Sequence, residues 1–163
     1  MRPLTEDEVR GAFVNASDED LELMSLPGLH EVLWNDREYL GWRDALIARR
    51  GYLVHWVEDR PVGILLRAAN RPAGGIVTAM CSLCHTTQPG HQVSLFTAPR
   101  AGEAGRDGNT VGTYICDDLA CSLMIRIVPA ASPLMPDPRD LVAHRAERLT
   151  ERLQHFTEGV LGR

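Results

Sequence analysis

Hydrophobic spacing changes several times along this chain, and each change marks an element. Near the N-terminus Val9, Ala12 and Phe13 share one helical face. They follow Thr5-Glu6-Asp7-Glu8, a capping box in which hydroxyl and carboxylate satisfy the free amides of a helix start. Ser17-Asp18-Glu19-Asp20 is a second start signal ahead of Leu21, Leu23 and Met24, and Pro27-Gly28 ends that helix. No single period governs Leu29 to Leu40; Trp34, Tyr39 and Trp42 are expected to anchor this stretch to the core. Arg43 to Arg50 reads as a short helix stopped by Gly51.

Strand patterning takes over at Tyr52-Leu53-Val54-His55-Trp56-Val57. Glu58-Asp59-Arg60-Pro61 is a turn and Val62 to Arg67 a second strand, so a β-hairpin is predicted. Asn70 to Gly75 reads as another turn, Ile76 to Met80 as a strand, Thr86 to Gly90 as a turn, and Gln92 to Thr97 as a strand. Ala101 to Asn109 reads as a charged, flexible loop, and Thr110 to Ile115 as the return strand. A helix is expected from about Leu119 to Arg126, with Asp117-Asp118 suited to the positive end of its dipole. Pro129 to Pro138 is linker-like. Asp137-Pro138 then opens a final helix, running roughly to Gly159, whose Val142, Leu149, Leu153, Phe156 and Val160 form one stripe. That stripe suits a helix folded back on the domain; a partner-binding helix is the other reading.

The chain has only four cysteines, Cys81, Cys84, Cys116 and Cys121, spaced C-x2-C, 31 residues, C-x4-C. Two close pairs flanking a hairpin-sized gap suit one tetrahedral ion, and zinc accepts four thiolates without redox chemistry. Disulfide, redox and iron–sulfur uses compete. Disulfides need an oxidising compartment. The segment Met1-Arg2-Pro3-Leu4-Thr5-Glu6-Asp7 has no apolar signal region, and no stretch approaches a membrane span, so a cytoplasmic protein is expected. A thioredoxin-like C-x2-C opens a helix, whereas a turn is predicted after Cys84. The favoured reading is a closed structural site with no open coordination position, and hence no catalysis.

The predicted elements place these ligands on a knuckle, a hairpin and the first turn of a helix, the layout of a treble-clef zinc finger. Amides at the knuckle and at the helix start are expected to hydrogen-bond the sulfurs. The fold class is therefore α+β, with β-hairpins, short N-terminal helices and a C-terminal amphipathic helix. The expected divisions are an acidic helical segment over 1–28, the zinc domain over 29–128, a linker over 129–138 and the helix over 139–163.

Charge narrows the choice of partner. The net charge is −5, all 17 basic residues are Arg, and residues 1–36 carry nine acids against two Arg. Phosphate-backbone affinity comes from clustered cations. The cysteine segment, residues 81–126, has three Arg against four acids. A protein partner is favoured over nucleic acid, with an RNA- or ribosome-binding zinc module as the alternative. The absence of Lys removes Schiff-base and phosphate-loop lysine chemistry. No G-x-x-x-x-G-K-[ST], G-x-S-x-G or H-E-x-x-H pattern occurs, which leaves an enzyme built on a reactive cysteine as the third class. His85 and His91 flank the knuckle, but four cysteines already complete the ligand set.

Gly41-Trp42-Arg43, Met80-Cys81-Ser82-Leu83-Cys84, Val93-Ser94-Leu95-Phe96 and Gly108-Asn109-Thr110-Val111-Gly112-Thr113-Tyr114-Ile115-Cys116-Asp117-Asp118-Leu119-Ala120-Cys121 together resemble a known domain. It is the C-terminal treble-clef domain of the elongation factor G-binding proteins, the FusB-type fusidic acid resistance family. The resemblance covers roughly residues 30–128 and leaves the C-terminal helix outside. It implies a non-enzymatic protein that binds elongation factor G and helps release it from the ribosome, where the drug traps it. It also implies one structural zinc ion on Cys81, Cys84, Cys116 and Cys121. Partner contacts would fall at Tyr114, Phe96 and His85, with Arg100 and Arg106 standing in for the family's basic surface residues. The chain departs from the family in its short N-terminal region and its lack of Lys.

Overall fold

Five strands form one antiparallel sheet, and its side chains alternate between two cores. The computed structural model describes residues 1–70, 77–129 and 137–163. The sheet strands are β1 (Leu40–Arg43), β2 (Arg50–Val57), β3 (Arg60–Ala68), β6 (Val93–Pro99) and β7 (Thr110–Cys116), in the spatial order β1-β2-β3-β6-β7. Between β3 and β6 the chain makes a small separate hairpin, β4 (Thr78–Met80) with β5 (Thr87–Pro89).

Because strand residues alternate faces, one face presents Leu53, Ile64, Leu66, Phe96, Ala98 and Ile115. These pack with the four cysteines, Leu119 and the long helix α5 (Pro138–Leu161). The opposite face presents Leu40, Trp42, Tyr52, Val54 and Leu65 to Val9, Ala12 and Met24. Two short helices lie on that side, α1 (Glu6–Gly11) and α2 (Asp18–Glu22). Both begin with complete capping boxes, Thr5 with Glu8 and Ser17 with Asp20. Trp42 stacks on Tyr52 with centroids 4.8 Å apart, and Phe13 meets Tyr52 edge-on.

Several predicted elements change. Arg43 to Arg50 is not a helix. The Asp44 carboxylate accepts from Leu46 N and Ile47 N, closing a turn, while Arg43 pairs with Gly51 and Arg50 with Arg67 in the sheet. Leu46 is 84% exposed, so a helix there has no core to bury its apolar side against. Thr86 to Gly90 is largely strand β5 rather than a free turn. Within Ala101 to Asn109 the chain winds into α3 (Gly102–Arg106). The expected helix from Leu119 shortens to α4 (Cys121–Met124), because Leu119 is left-handed at φ 59° and cannot be a helical residue. Trp34 to Asp36 and Leu29 to Glu31 form single 3-10 turns. Residues 71–76 of the predicted turn and strand, and 130–136 of the predicted linker, lie outside the described residues.

The C-terminal helix folds back on the sheet. Leu149, Leu153, Phe156, Thr157 and Val160 are buried there, Val142 is half-buried, and Gly162 ends the helix in the left-handed conformation.

Candidate metal centre

Three local structures bring the cysteines together. Cys81 and Cys84 sit in the tight turn joining β4 to β5, Cys116 ends β7, and Cys121 opens α4. All four are buried, and their sulfurs lie within 4.8 Å of one another. Cys81 and Cys121 are 3.5 Å apart at sulfur, and Cys84 and Cys116 are 3.6 Å apart. Zinc–thiolate bonds of about 2.3 Å place tetrahedral sulfurs about 3.8 Å apart, so one zinc ion fits this cage. The alternative of two disulfides is not realised, as all four cysteines are free thiols.

Electrostatics favour a cation at the centre. Hydrogen bonding with Cys116 holds the Cys81 and Cys84 thiols below their ordinary value, while the same crowding pushes Cys121 well up. The apposed sulfurs therefore share protons unless a divalent ion lets all four ionise. Zinc held there would cross-link the knuckle, the hairpin and α4.

The surrounding donors differ partly from expectation. At the knuckle the Cys84 amide does donate to Cys81 Sγ, at 3.5 Å. At the helix start the Cys121 amide donates instead to the Tyr39 hydroxyl, at 3.3 Å. Two side chains add sulfur contacts: buried Gln88, whose Nε2 donates to Cys116 Sγ at 3.1 Å, and Thr86, which hydrogen-bonds the Cys84 sulfur. Nothing in its sequence context marks Gln88, because its role depends on β5 pairing with β4 so that it faces Cys116.

Tyr39 is a second residue whose role here the sequence reading missed, having placed it only as a core anchor. Its hydroxyl donates to Leu119 O at 2.8 Å while accepting from Cys121 N, so one phenol fixes both sides of the last ligand turn. Burial, reinforced by nearby Cys121, raises the Tyr39 phenol well above its usual range and keeps it a neutral donor. Asp117 ties the same loop to the sheet by accepting from Ser94 Oγ at 2.5 Å and pairing with Arg43 at 3.5 Å. Asp118 accepts from Ala120 N and steadies the turn before α4. Arg126, just beyond α4, binds both oxygens of Glu38 at 2.9 and 3.0 Å.

The expected partner residues do not form one cluster. Phe96 is fully buried beneath the sheet with the Arg43 guanidinium 5.1 Å from its ring, which removes it from any contact surface. Tyr114 is 46% exposed, paired across the hairpin with Leu95. His85 is exposed at the end of the knuckle. Arg100 and Arg106 bracket α3 at the far tip of the hairpin, about 20 Å of strand from Cys116.

Comparison with curated proteins finds no match, and neither does comparison with solved structures. The family comparison does: residues 8–160 match the FBP C-terminal treble-clef zinc-finger family. The match extends well beyond the 30–128 stretch that carried the resemblance and takes in α5, which the sequence reading had left outside. With the ligand order of knuckle, hairpin and helix start also present, the chain belongs to the FBP C-terminal treble-clef zinc-finger family, the FusB-type domain with one structural zinc site.

Proposed function

We propose that this protein binds elongation factor G through the zinc-clamped hairpin and promotes its release from the ribosome, working in the cytoplasm and catalysing no reaction. The family match over residues 8–160 carries this reading. The closed four-thiolate cage supports the non-catalytic part, since it offers no position for a reacting water. Among the described residues, no helix is long and apolar enough to cross a membrane.

The contact surface we infer contains Tyr114 and His85, with Arg100 and Arg106 supplying charge at the hairpin tip. Tyr114 suits this role because its ring stands out from a strand whose end is held by a metal ligand. Phe96 contributes from beneath, by shaping the sheet.

Affinity capture with purified elongation factor G tests the proposal. The wild-type protein is expected to be retained, and Tyr114→Ala to lose at least about tenfold in affinity while keeping its zinc, as removal of a central aromatic contact does. Absence of capture by the zinc-loaded wild type rejects the reading. A mobility shift with ribosomal RNA that weakens steeply with salt would support the RNA-binding alternative instead.

A further inference from the structure

Strand β7 is the outer strand of the five-stranded sheet, and its outer edge is taken by the knuckle only at the Tyr114 end among the described residues. The ladder to β6 identifies which backbone groups face outward. Leu95 O accepts from Ala69 N on the β3 side, so Leu95 and Tyr114 form a pair not joined by hydrogen bonds. By alternation Gly112 and Thr110 also point their N–H and C=O groups away from the sheet. Tyr114 O is taken by Ser82 N at 2.7 Å, whereas among the described residues no partner occupies the outward groups of Gly112. Sheet edges are ordinarily blunted by charge, proline or shortness. β7 has none of these: Thr-Val-Gly-Thr-Tyr-Ile-Cys is seven residues long and uncharged.

Beside this edge runs a groove of about 610 Å³, walled by the knuckle on one side and the C-terminal half of α5 on the other. Its lining includes Ser82, His85, Gly112, Thr113, Arg152 and His155. Arg152 donates to Leu83 O at 2.6 Å, which fixes helix to knuckle and holds the groove open. Arg163 adds a second guanidinium, and the lining carboxylate, Glu151, is already engaged by Arg148 at 2.6 Å.

His85 adds an independent sign. Its φ of 54° is left-handed, a conformation that is costly for a non-glycine residue. Its amide closes the knuckle onto Cys81 O, which glycine would do without strain. An exposed imidazole is kept at the groove despite that cost.

We propose that this groove binds an extended acidic peptide segment of a partner protein, which pairs its backbone with the outer edge of β7 and lies between the knuckle and α5. Strand addition explains why that stretch of the edge is left unpaired, and the two arginines select acidic side chains over basic ones, with the two imidazoles beside them as further hydrogen-bonding groups. At about 3.3 Å per residue, the stretch from Thr110 to Thr113, short of the Tyr114 carbonyl that Ser82 already holds, accommodates about four peptide residues. The proposal requires no particular partner and stands apart from the elongation factor assignment, since its test contains no elongation factor.

The test is fluorescence anisotropy of zinc-loaded protein with a labelled hexapeptide alternating valine and glutamate. Saturable binding is expected, with about tenfold weaker binding of the valine–lysine counterpart and of a backbone N-methylated copy. His85→Gly, which relieves strain and should not lower the melting temperature, and His155→Glu, on the exposed helix face and expected to leave it unchanged, are each expected to weaken binding severalfold. Equal affinity for the lysine peptide overturns the proposal. So does indifference to N-methylation, no binding at millimolar peptide, or tighter binding of an octauridylate than of the glutamate peptide.

Discussion

Leu119 fills the space that Gly41 leaves empty. A Cβ built on Gly41 would lie 2.5 Å from Leu119 O, so no side chain fits between β1 and the final ligand turn. Leu119 itself is buried and left-handed, and its carbonyl is the one held by the Tyr39 hydroxyl. The sheet thus docks the metal loop through a missing side chain on one element and a strained residue on the other.

Gly41→Ala is therefore expected to destabilise the protein by about 1–3 kcal/mol, the usual scale of overpacking, since backbone rather than a flexible side chain must yield. Urea unfolding of the zinc-loaded protein measures this. An unchanged midpoint would mean that the ligand loop adjusts freely.

Tyr39→Phe deletes the hydroxyl that serves both Leu119 O and Cys121 N. A buried carbonyl and a buried amide lose their partner together, at a cost of about 1–3 kcal/mol. Zinc should still bind, but transfer to a chromophoric chelator should be faster than in the wild type. The rate of that transfer is the readout.

Cys116→Ser removes one sulfur of the cage and the acceptor used by Gln88. Apparent zinc-binding energies of about 10–16 kcal/mol in small modules rival the whole stability of a domain, about 5–15 kcal/mol. Loss of stoichiometric zinc and of amide-exchange protection in β4, β5 and α4 is expected, and chelation of the wild type should reproduce it. Retained protection without metal would show that packing alone holds these elements.

His55 introduces an acid dependence. It is buried between β2 and α5, 2.8 Å from Thr157 Oγ1, and desolvation lowers its pKa from 6.5 to about 4. The unfolded chain therefore takes up a proton at higher pH than the folded one. The stabilisation is full above about pH 6.5 and is lost as the pH falls towards 4, by up to about 3 kcal/mol. Thr157 also donates to Leu153 O, so His55→Leu leaves no hydroxyl without a partner. Stability of that variant should fall less between pH 6.5 and 4 than that of the wild type, as followed by denaturant titration at each pH.

Much of the architecture is legible in local signals. The two capping boxes, the β2–β3 hairpin, the β6–β7 hairpin and the apolar stripe of α5 each come from residues within a few positions of one another. The cysteine spacing identifies the cage because each pair is close in sequence and the hairpin between the pairs returns the chain to its start. Local signals fail where distant partners compete. Arg43 to Arg50 has helix-forming composition, yet its ends are drawn into pairing with β2 and β3. The helix expected from Leu119 is delayed because that residue is wedged against Gly41.

Side-chain chemistry and spacing alone thus pointed to the four-cysteine cage, to zinc and to most element types, since these depend on neighbours in the chain. Three-dimensional packing decided the rest. It buried Phe96, parted Tyr114 from Arg100 and Arg106, recruited Gln88 and Tyr39 to the metal loop, and left the β7 edge facing a groove. Those outcomes hang on which strand lies beside which and which face each residue takes, and contacts between residues as far apart as Tyr39 and Leu119 leave no periodic trace in a linear sequence.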